Sequence, residues 1–219
     1  MVKAVIFDMD GLMLDTERYG EQFHRRALEE RGLPFLEGLS AQITGRNHVQ
    51  VHRILLERYG PDYPFDAVHA RIAQLWDEYL DHHPVPVKPG LFPLLEYLRE
   101  QSIPAAVATS TSRPIALSRL EKAGIAPYLS VMVFGDMVER SKPEPDIFLT
   151  AANKLGAKPE ETMVLEDSPN GILAAHRAGM LPVMIPDMLP PDEELLKLVY
   201  RRLERLDQVI SLLEEMKDL

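Results

Sequence analysis

Lys3-Ala4-Val5-Ile6-Phe7-Asp8-Met9-Asp10-Gly11 is the stretch of the sequence that decides the fold. It opens with an apolar, β-branched run, which is typical of a strand buried on both faces of a parallel sheet. Two aspartates follow where this strand ends. In open α/β sheets, ligands bind beyond the carboxyl ends of the strands. We therefore predict a buried strand that carries Asp8 and Asp10 to a functional site.

Further short apolar runs along the chain predict the other strands of the sheet. The five predicted strands are Lys3–Phe7, Pro104–Ala108, Val131–Phe134, Thr162–Leu165 and Leu181–Ile185. Helical patterns lie between the later strands, at Pro114–Lys122, Pro145–Leu155 and Asn170–Ala178. This alternation predicts βαβ units and an α/β fold with a doubly wound parallel sheet.

Residues 15–85 break the alternation of strands and helices. Their apolar residues, such as Phe23, Ala27 and Leu28, recur with helical spacing, and we find no convincing strand among them. The Pro-rich stretch His82–Gly90 cannot continue a helix and is typical of a linker. We predict a second, smaller, all-helical domain over 15–85, inserted into a core domain formed by residues 1–14 and 86–219.

The C-terminal segment Glu193–Met216 is rich in leucine and in charged residues. This composition predicts a terminal helix, or a pair of helices, packed on the core domain. A helix that binds a partner is the alternative. We expect a monomer or a weak homo-oligomer.

The composition excludes several classes of function. The net charge of −10 over 219 residues argues against binding of nucleic acid, whose phosphates require clustered lysine and arginine. The chain has no cysteine and therefore no disulfide or thiolate chemistry. We see neither a signal peptide nor the run of about 18 apolar residues that a membrane span needs. We expect a soluble, cytoplasmic protein.

Polar side chains follow four of the predicted strands. They are Asp8 and Asp10, then Thr109-Ser110-Thr111, then Ser141-Lys142-Pro143, then Glu166-Asp167-Ser168. Taken singly, each group has an ordinary explanation, such as a solvated turn, a helix N-cap at Thr111 or Ser112, a loop, or a helix start near Asn170. These explanations do not account for the order of the four groups along the chain, in which each group follows a strand. Because parallel strands end at one edge, we expect the four groups to meet in one crevice.

This set of side chains has the chemistry of phosphoryl transfer. Crowded carboxylates require a cation, and ligands that are all oxygen select a hard ion such as Mg²⁺. One carboxylate can attack phosphorus, and a second can protonate the leaving oxygen and later deprotonate water. Lys142 would stabilise the phosphoryl charge, and Thr109 and Ser110 would hold its oxygens.

The same residues resemble the motifs of the haloacid dehalogenase-like superfamily. Asp8-Met9-Asp10-Gly11, Thr109, Lys142-Pro143 and Glu166-Asp167 match its four motifs, and the stretches Leu14–Glu17 and Lys142–Phe148 are similar to its β-phosphoglucomutase and sugar-phosphatase branch. The resemblance covers nearly the whole chain and places a helical cap domain, "the cap" below, at 15–85.

The resemblance implies a role for each matched residue. Asp8 would be the nucleophile and Asp10 the general acid and base. Asp8, the backbone carbonyl of Asp10 and Asp167 would hold Mg²⁺, and Glu166 would assist. Two aspartates in the first motif argue against dehalogenase chemistry, which needs no acid for the leaving group.

Gly20 separates two predicted reactions. The resemblance implies a histidine at this position in a β-phosphoglucomutase, so glycine favours a phosphatase that hydrolyses a small sugar, polyol or nucleotide-like monophosphate. His24, one turn further along the helix, could compensate, although packing is its commoner role. A phosphomutase stays the alternative. A non-catalytic binding protein is a distant third reading, since such a protein would be expected to lose Asp8, Asp10 or Lys142.

The segment Thr44–Asn47 supplies the candidate for substrate recognition. Its Arg46 suits a second phosphate or sugar oxygens. Equally, Asn47 could cap a helix and leave Arg46 in solvent. Trp76 and Tyr79 lie at helical spacing and are predicted to pack inside the cap rather than to stack on a substrate.

Overall fold

The computed structural model describes residues 2–44, 46 and 48–217. Gly45 and Asn47 lie outside the described residues, and with them the proposed Asn47 cap. The centre of the fold is a six-stranded parallel sheet. Its strands are β1 (Ala4–Phe7), β2 (Ala105–Ala108), β3 (Val131–Val133), β4 (Thr162–Glu166), β5 (Leu181–Met184) and β6 (Arg201–Arg202). Their order in space is β3-β2-β1-β4-β5-β6, so the strand before Asp8 lies between those before Thr109 and Asp167.

Helices cover both faces of the sheet. They are α5 (Leu91–Glu100), α6 (Arg113–Lys122), α7 (Asp146–Leu155), α8 (Pro169–Arg177), α9 (Glu193–Leu196) and α10 (Gln208–Glu215). Val5 and Phe7 of β1 join the apolar cluster that includes α5, α6 and α10, and Ile6 joins the cluster that includes α7 and α8. Burial on both faces explains the unbroken apolar run of β1. The doubly wound α/β fold is confirmed, and the five predicted strands agree with the structure to within one residue at each end.

Within the described part of the cap, residues 15–44, 46 and 48–85, the chain forms four helices. They are α1 (Thr16–Glu29), α2 (Leu39–Ile43), α3 (His48–Tyr59) and α4 (Phe65–Leu80). Leu28, Leu55, Phe65 and Leu75 belong to a buried apolar cluster made from these helices and their connections. The exact division at 14/15 and 85/86 stays a prediction.

The chain passes between core and cap twice, and the two passages run side by side. Leu14 and Val87 form an antiparallel bridge. The Asp15 N–H donates to the Pro86 carbonyl at 2.9 Å, and the Lys88 N–H donates to the Met13 carbonyl at 2.9 Å. Lys88 Nζ also lies 3.2 Å from Asp15 Oδ1 and 2.5 Å from Asp187 Oδ1. The junction is therefore a paired, ion-linked segment at the edge of the sheet.

The C-terminal segment Glu193–Met216, for which a terminal helix or a pair of helices is predicted, contains α9 and α10 but also a strand. Strand β6 interrupts it, because the edge of β5 carries carbonyls that need donors. The N–H groups of Tyr200 and Leu203 donate to the carbonyls of Pro182 (2.8 Å) and Met184 (2.9 Å). Arg201 and Arg202 are exposed and therefore lack the apolar pattern of a strand. The predicted packing of the last helix on the core holds for α10.

Helix α5 was missed from the sequence, although Leu91, Leu94, Leu95 and Leu98 follow helical spacing and are buried. Throughout the described part of the chain, every helix is too short or too polar to cross a lipid bilayer.

Candidate active site

Strand pairing brings the predicted catalytic side chains to one edge of the sheet. Phe7 lies beside Val107 of β2 and Leu165 of β4. The Asp8 N–H continues the ladder by donating to the Leu165 carbonyl at 3.0 Å. The almost fully buried polar side chains at this edge include Asp8, Thr109, Glu166 and Asp167. Buried polar groups need partners, so their contacts show what the site is built to do.

Lys142 supplies the positive charge of this edge. It reaches the edge from the segment between β3 and α7, and its side chain is 1% exposed. Its Nζ donates to Asp8 Oδ1, to the Ala108 carbonyl at 3.1 Å and to Glu166 Oε1 at 2.7 Å. An ammonium group has three donors, so all of them are used. Burial opposes the charged form, but the charges of Asp8 and Glu166 outweigh it and raise the pKa of Lys142.

Glu166 holds Lys142 in place. Its Oε2 accepts hydrogen bonds from the backbone N–H (2.8 Å) and the hydroxyl (2.9 Å) of Ser168, while Oε1 accepts from Lys142. The carboxylate lies against the first turn of α8, where a methyl group on Gly171 would come within 1.7 Å of Oε1. Both oxygens are therefore engaged, and this arrangement favours an orienting role over the expected assistance to a metal.

Asp167 differs from Glu166 in its surroundings. It is 4% exposed, and no hydrogen-bond donor reaches it from the residues that the structure describes. A methyl group on Gly11 (φ +84°) would lie 2.4 Å from Asp167 Oδ2, so the carboxylate packs directly on the first-motif loop. Burial, then the charges of Glu166, Asp8 and Glu17, raise the pKa of Asp167 well above its usual range. A bound cation would relieve this crowding.

Asp8 and Glu17 share the same acidic surroundings. Burial raises the pKa of Asp8 to about 7, although Lys142 acts in the opposite direction. Burial and the charges of Asp10 and Asp8 raise the pKa of Glu17 to about 8.

The oxygen donors of this site fit Mg²⁺, which is commonly held by one or two carboxylates with waters completing its shell. The described residues contain no group of three or more His, Cys, Asp or Glu side chains placed for a metal, so Asp8 and Asp167 would need the Asp10 carbonyl and waters.

Asp10 is fixed by three donors. Its Oδ1 accepts from Thr16 Oγ1 (2.6 Å) and Arg119 Nη1 (3.0 Å), and its Oδ2 accepts from Thr111 Oγ1 (2.7 Å). Sequence reasoning missed Thr16 and Arg119 as site residues. The hydroxyl of Thr111, a candidate helix cap by sequence, binds Asp10 instead. Ser112 takes the N-cap position of α6 without a side-chain hydrogen bond. No local pattern distinguishes Arg119 from other helical arginines.

A small cavity of about 50 Å³ joins these groups. Its lining includes Asp8, Asp10, Asp167, Thr109 and Ser110. It adjoins a larger cavity between core and cap, of about 390 Å³, which shares Ser110, Thr111 and Arg46 with the first. A compact polar cavity beside a roomier one suits a phosphoryl group and its variable leaving group.

The cap contributes Arg46 to both cavities. Its Nε donates to the Gln42 carbonyl at 2.7 Å. The neighbouring Gly45 and Asn47 lie outside the described residues, so the choice between a substrate contact and a capped helix start stays open on geometry. Arg46 itself lines both cavities and is therefore not surrounded by bulk solvent only.

His24 packs inside the cap and does not replace the missing histidine at Gly20. It is 5% exposed, and its Nε2 lies 3.4 Å from the Tyr63 hydroxyl. Burial lowers its pKa to about 4, so it is neutral at physiological pH. Gly20 faces open space, because a methyl group added there would have no atom within 4 Å.

Trp76 and Tyr79 pack with Tyr19 and Phe23, but Trp76 also faces Arg119 of the core.

Comparison with known proteins identifies the class. Residues 2–179 match the family described as haloacid dehalogenase-like hydrolase, and the chain belongs to this family. It is similar to a phosphorylated carbohydrates phosphatase of Thermotoga maritima (36% identical over 183 residues, 82% of each chain). It is also similar to (DL)-glycerol-3-phosphatase 2 of Arabidopsis thaliana (33% identical over 195 residues, 85% of this chain and 80% of the relative).

A solved structure gives the same picture. The crystal structure of a candidate β-phosphoglucomutase from Thermotoga maritima superposes with a TM-score of 0.76 at 32% identity, over 98% of this chain and 99% of the other. The resemblance inferred from the motifs is confirmed. The family and the phosphatase relatives also confirm the predicted enzyme class, a hydrolase of phosphoric monoesters.

Proposed function

We propose that this protein is a Mg²⁺-dependent phosphatase that hydrolyses a small phosphorylated metabolite through an aspartyl-phosphate on Asp8. The observation that carries the proposal is the pairing of two differently held carboxylates at one small cavity. Asp8 is paired with the buried Lys142, and Asp10 is fixed by three donors. One carboxylate is thus placed to attack, and the other to exchange a proton.

In the first step, a carboxylate oxygen of Asp8 forms a bond to phosphorus as the bond between phosphorus and the substrate oxygen breaks. Asp10 gives its proton to that leaving oxygen. Thr109 and Ser110 donate hydrogen bonds to the phosphoryl oxygens, and the charge of Lys142 stabilises the negative charge that develops.

In the second step, Asp10 takes a proton from water as the water oxygen attacks phosphorus. The bond between phosphorus and Asp8 breaks, inorganic phosphate leaves and Asp8 is regenerated. Asp10 thereby recovers the proton that it needs for the next turnover.

Asp8, the backbone carbonyl of Asp10 and Asp167 would hold the Mg²⁺. When bound, the ion offsets the charge of the phosphoryl group as it meets the carboxylate. Glu166 keeps Lys142 oriented instead of binding the ion directly.

The substrate class follows from the cavities and from the relatives. The larger cavity is lined by Arg46, His69, Ser112 and Asp136 among others, a mixture that can bind hydroxyl groups. The relatives act on phosphorylated carbohydrates and on glycerol 3-phosphate, by their names. We therefore propose that the substrate is a sugar, polyol or nucleotide-like monophosphate, bound partly by Arg46.

The cytoplasmic location and the monomeric or weakly oligomeric state stay predictions of the sequence.

A phosphomutase is the second candidate, because of the similarity to the candidate β-phosphoglucomutase. The two reactions differ in whether water or a second hydroxyl attacks the aspartyl-phosphate. A coupled assay with β-glucose 1-phosphate distinguishes them. Stoichiometric release of phosphate without glucose 6-phosphate supports the phosphatase, and accumulation of glucose 6-phosphate would establish the mutase.

The direct test is a screen of phosphate release from a panel of phosphorylated metabolites with and without Mg²⁺. Asp8→Asn should abolish turnover, because the side-chain amide cannot form the aspartyl-phosphate. Asp62→Asn, at an exposed position between α3 and α4 and away from both cavities, is a control for changes in acidic charge. Turnover by Asp8→Asn at the wild-type rate would refute the nucleophile assignment.

A further inference from the structure

Arg119 connects the proposed acid and base to the cap. It lies near the C-terminus of α6, and its side chain is 14% exposed. Its Nη1 is 3.0 Å from Asp10 Oδ1. The residues that line the small cavity, as far as the structure describes them, do not include Arg119. It therefore acts on a bound phosphoryl group only through Asp10.

The two oxygens of Asp10 are bound differently. Oδ1 accepts from Thr16 and Arg119, which together fill its two lone pairs. Oδ2 accepts only from the Thr111 hydroxyl, whose proton can rotate away, and this leaves one lone pair. An oxygen held by two donors is anchored, whereas one held by a single hydroxyl can exchange a proton.

The other face of Arg119 rests on the cap. Its guanidinium carbon lies 4.5 Å from the centre of the Trp76 ring, in the geometry of a cation–π contact. Trp76 is itself 8% exposed and is held edge-on by Phe23, with ring centres 5.0 Å apart. Arg119 is therefore enclosed between a cap ring and a core carboxylate. Thr16, at the start of α1, binds the same oxygen of Asp10 from the cap side.

We propose that Arg119 is a positioning residue that anchors Oδ1 of Asp10, so that Oδ2 is the oxygen that exchanges the proton with the leaving group and with water. Trp76 makes this anchoring depend on the cap. The inference rests on the proposed function of Asp10. Arg119 forms and breaks no bond to substrate and gives up no proton.

The test uses two phosphates of similar shape but different leaving groups. Phenyl phosphate releases phenol, whose pKa of about 10 resembles that of tyrosine. 4-Nitrophenyl phosphate releases a far more acidic phenol and needs little protonation. Arg119→Met should lower kcat for phenyl phosphate by roughly tenfold or more, with a much smaller loss for 4-nitrophenyl phosphate and little change in KM.

Two further measurements separate positioning from folding. Millimolar guanidinium should restore part of the phenyl phosphate activity of Arg119→Ala, because the free ion can reoccupy the space beside Asp10. Trp76→Leu leaves Arg119 in place and should show the same selectivity with a smaller loss. This second variant decides the question if the arginine variants do not fold.

Arg99→Met is the matched control. Arg99 also pairs with a carboxylate, Glu96, and covers an aromatic ring, Tyr128, at 5.5 Å, but it lies on α5. It should retain both activities. Equal losses on both phosphates in Arg119→Met, or no rescue by guanidinium together with no selectivity in Trp76→Leu, would overturn the proposal.

Failure of the proposed function gives a different pattern. In that case the wild-type protein releases phosphate from no member of the metabolite panel, or Asp8→Asn and Asp10→Asn leave turnover unchanged. If both aspartate variants are impaired and Arg119→Met is not, the proposed function stands and only the role of Arg119 is refuted.

Discussion

Buried charge dominates the chemistry of the individual side chains. Asp8, Lys142 and Glu166 form a chain of ion pairs in which Lys142 is shared. Asp167 lies beside this chain without a cation of its own in the described part of the protein. Asp8 and Asp167 both line the small cavity, and Asp167, which has no ion-pair partner among the described residues, is left to bind a cation.

Gly11→Ala should weaken Mg²⁺ binding by roughly tenfold, because a methyl group there displaces Asp167 from the first-motif loop. Isothermal titration of Mg²⁺ into each variant measures the effect. Gly32→Ala is the matched control, since Gly32 also has positive φ (+67°) but faces open space. Both variants should lose about 1–2 kcal/mol from backbone strain. Unchanged affinity in Gly11→Ala would contradict Asp167 as a metal ligand.

Lys142→Met should lower the free energy of unfolding by about 3–5 kcal/mol, because it leaves two buried carboxylates without their cation. Urea unfolding measures this loss. Lys154→Met, at an exposed position on α7, should change stability by less than about 0.5 kcal/mol. Adding Glu166→Gln to Lys142→Met should recover part of the loss, and no recovery would argue against the shared ion pair.

The N-cap residues of α6 and α8 are both serines, but they contribute differently to the active site. Ser168 is the N-cap of α8, where its Oγ accepts from the Gly171 N–H (3.1 Å) and donates to Glu166. Ser112 has the corresponding position on α6, but its side chain makes no capping hydrogen bond. The same residue type therefore contributes differently at the ends of β2 and β4, the two strands that flank β1.

Ser168→Ala should lower the free energy of unfolding by about 1 kcal/mol through loss of the cap. It should also lower turnover, since Glu166 loses one of the two donors on Oε2 that orient it toward Lys142. Thermal unfolding and phosphate release measure the two effects. For stability, Ser112→Ala is the matched control and should melt close to wild type. Equal destabilisation by the two variants would show that the capping hydrogen bond of Ser168 does not contribute the expected stability.

The whole molecule joins a sheet domain and a helical cap whose cores are separate clusters. The active site lies where they meet, and both contribute to it: Thr16, Arg46 and Trp76 from the cap, Arg119 and Thr111 from the core. The cap core also includes buried histidine, which makes the stability of the molecule sensitive to acid.

Protonation of buried histidine should lower the free energy of unfolding as the pH falls from about 6.5 to about 4, while the carboxyls of Asp8, Glu17 and Asp167, whose pKa values burial raises, contribute in the opposite direction. Burial lowers the pKa of His24 to about 4 in the folded protein. In this window the unfolded chain binds a proton that the folded state excludes, so the stabilisation is full above the unfolded pKa and is lost as the pH falls. His24 alone would contribute about 3 kcal/mol to the loss. His69, whose pKa burial also lowers to about 4, acts in the same direction.

Urea unfolding at pH 7 and pH 4.5 measures this effect. His24→Gln removes only the contribution of this histidine, so the free energy of unfolding at pH 4.5 minus that at pH 7 should be more positive in His24→Gln than in the wild type. His82→Gln, at an exposed position after α4, is the control and should keep the wild-type difference. An identical pH dependence in His24→Gln and wild type would exclude buried His24 as a cause.

The sequence by itself determined the parallel sheet, the helical insert and the polar groups at the strand ends. Strands buried on both faces must be apolar throughout, and parallel strands present their carboxyl ends at one edge, so composition and order along the chain suffice for these features. Asp8, Asp10, Thr109, Lys142 and Asp167 could all be selected in this way.

Only the tertiary structure decided what lies outside local pattern. Strand β6 forms because β5 has unpaired backbone groups, not because Arg201 and Arg202 favour a strand. Arg119 and Trp76 are 43 positions apart in the sequence, and their contact beside Asp10 depends on how the cap lies on the core. The Asp8–Asp10 pair provides the reactive carboxylates, but long-range packing determines which oxygen of Asp10 is anchored and which remains available.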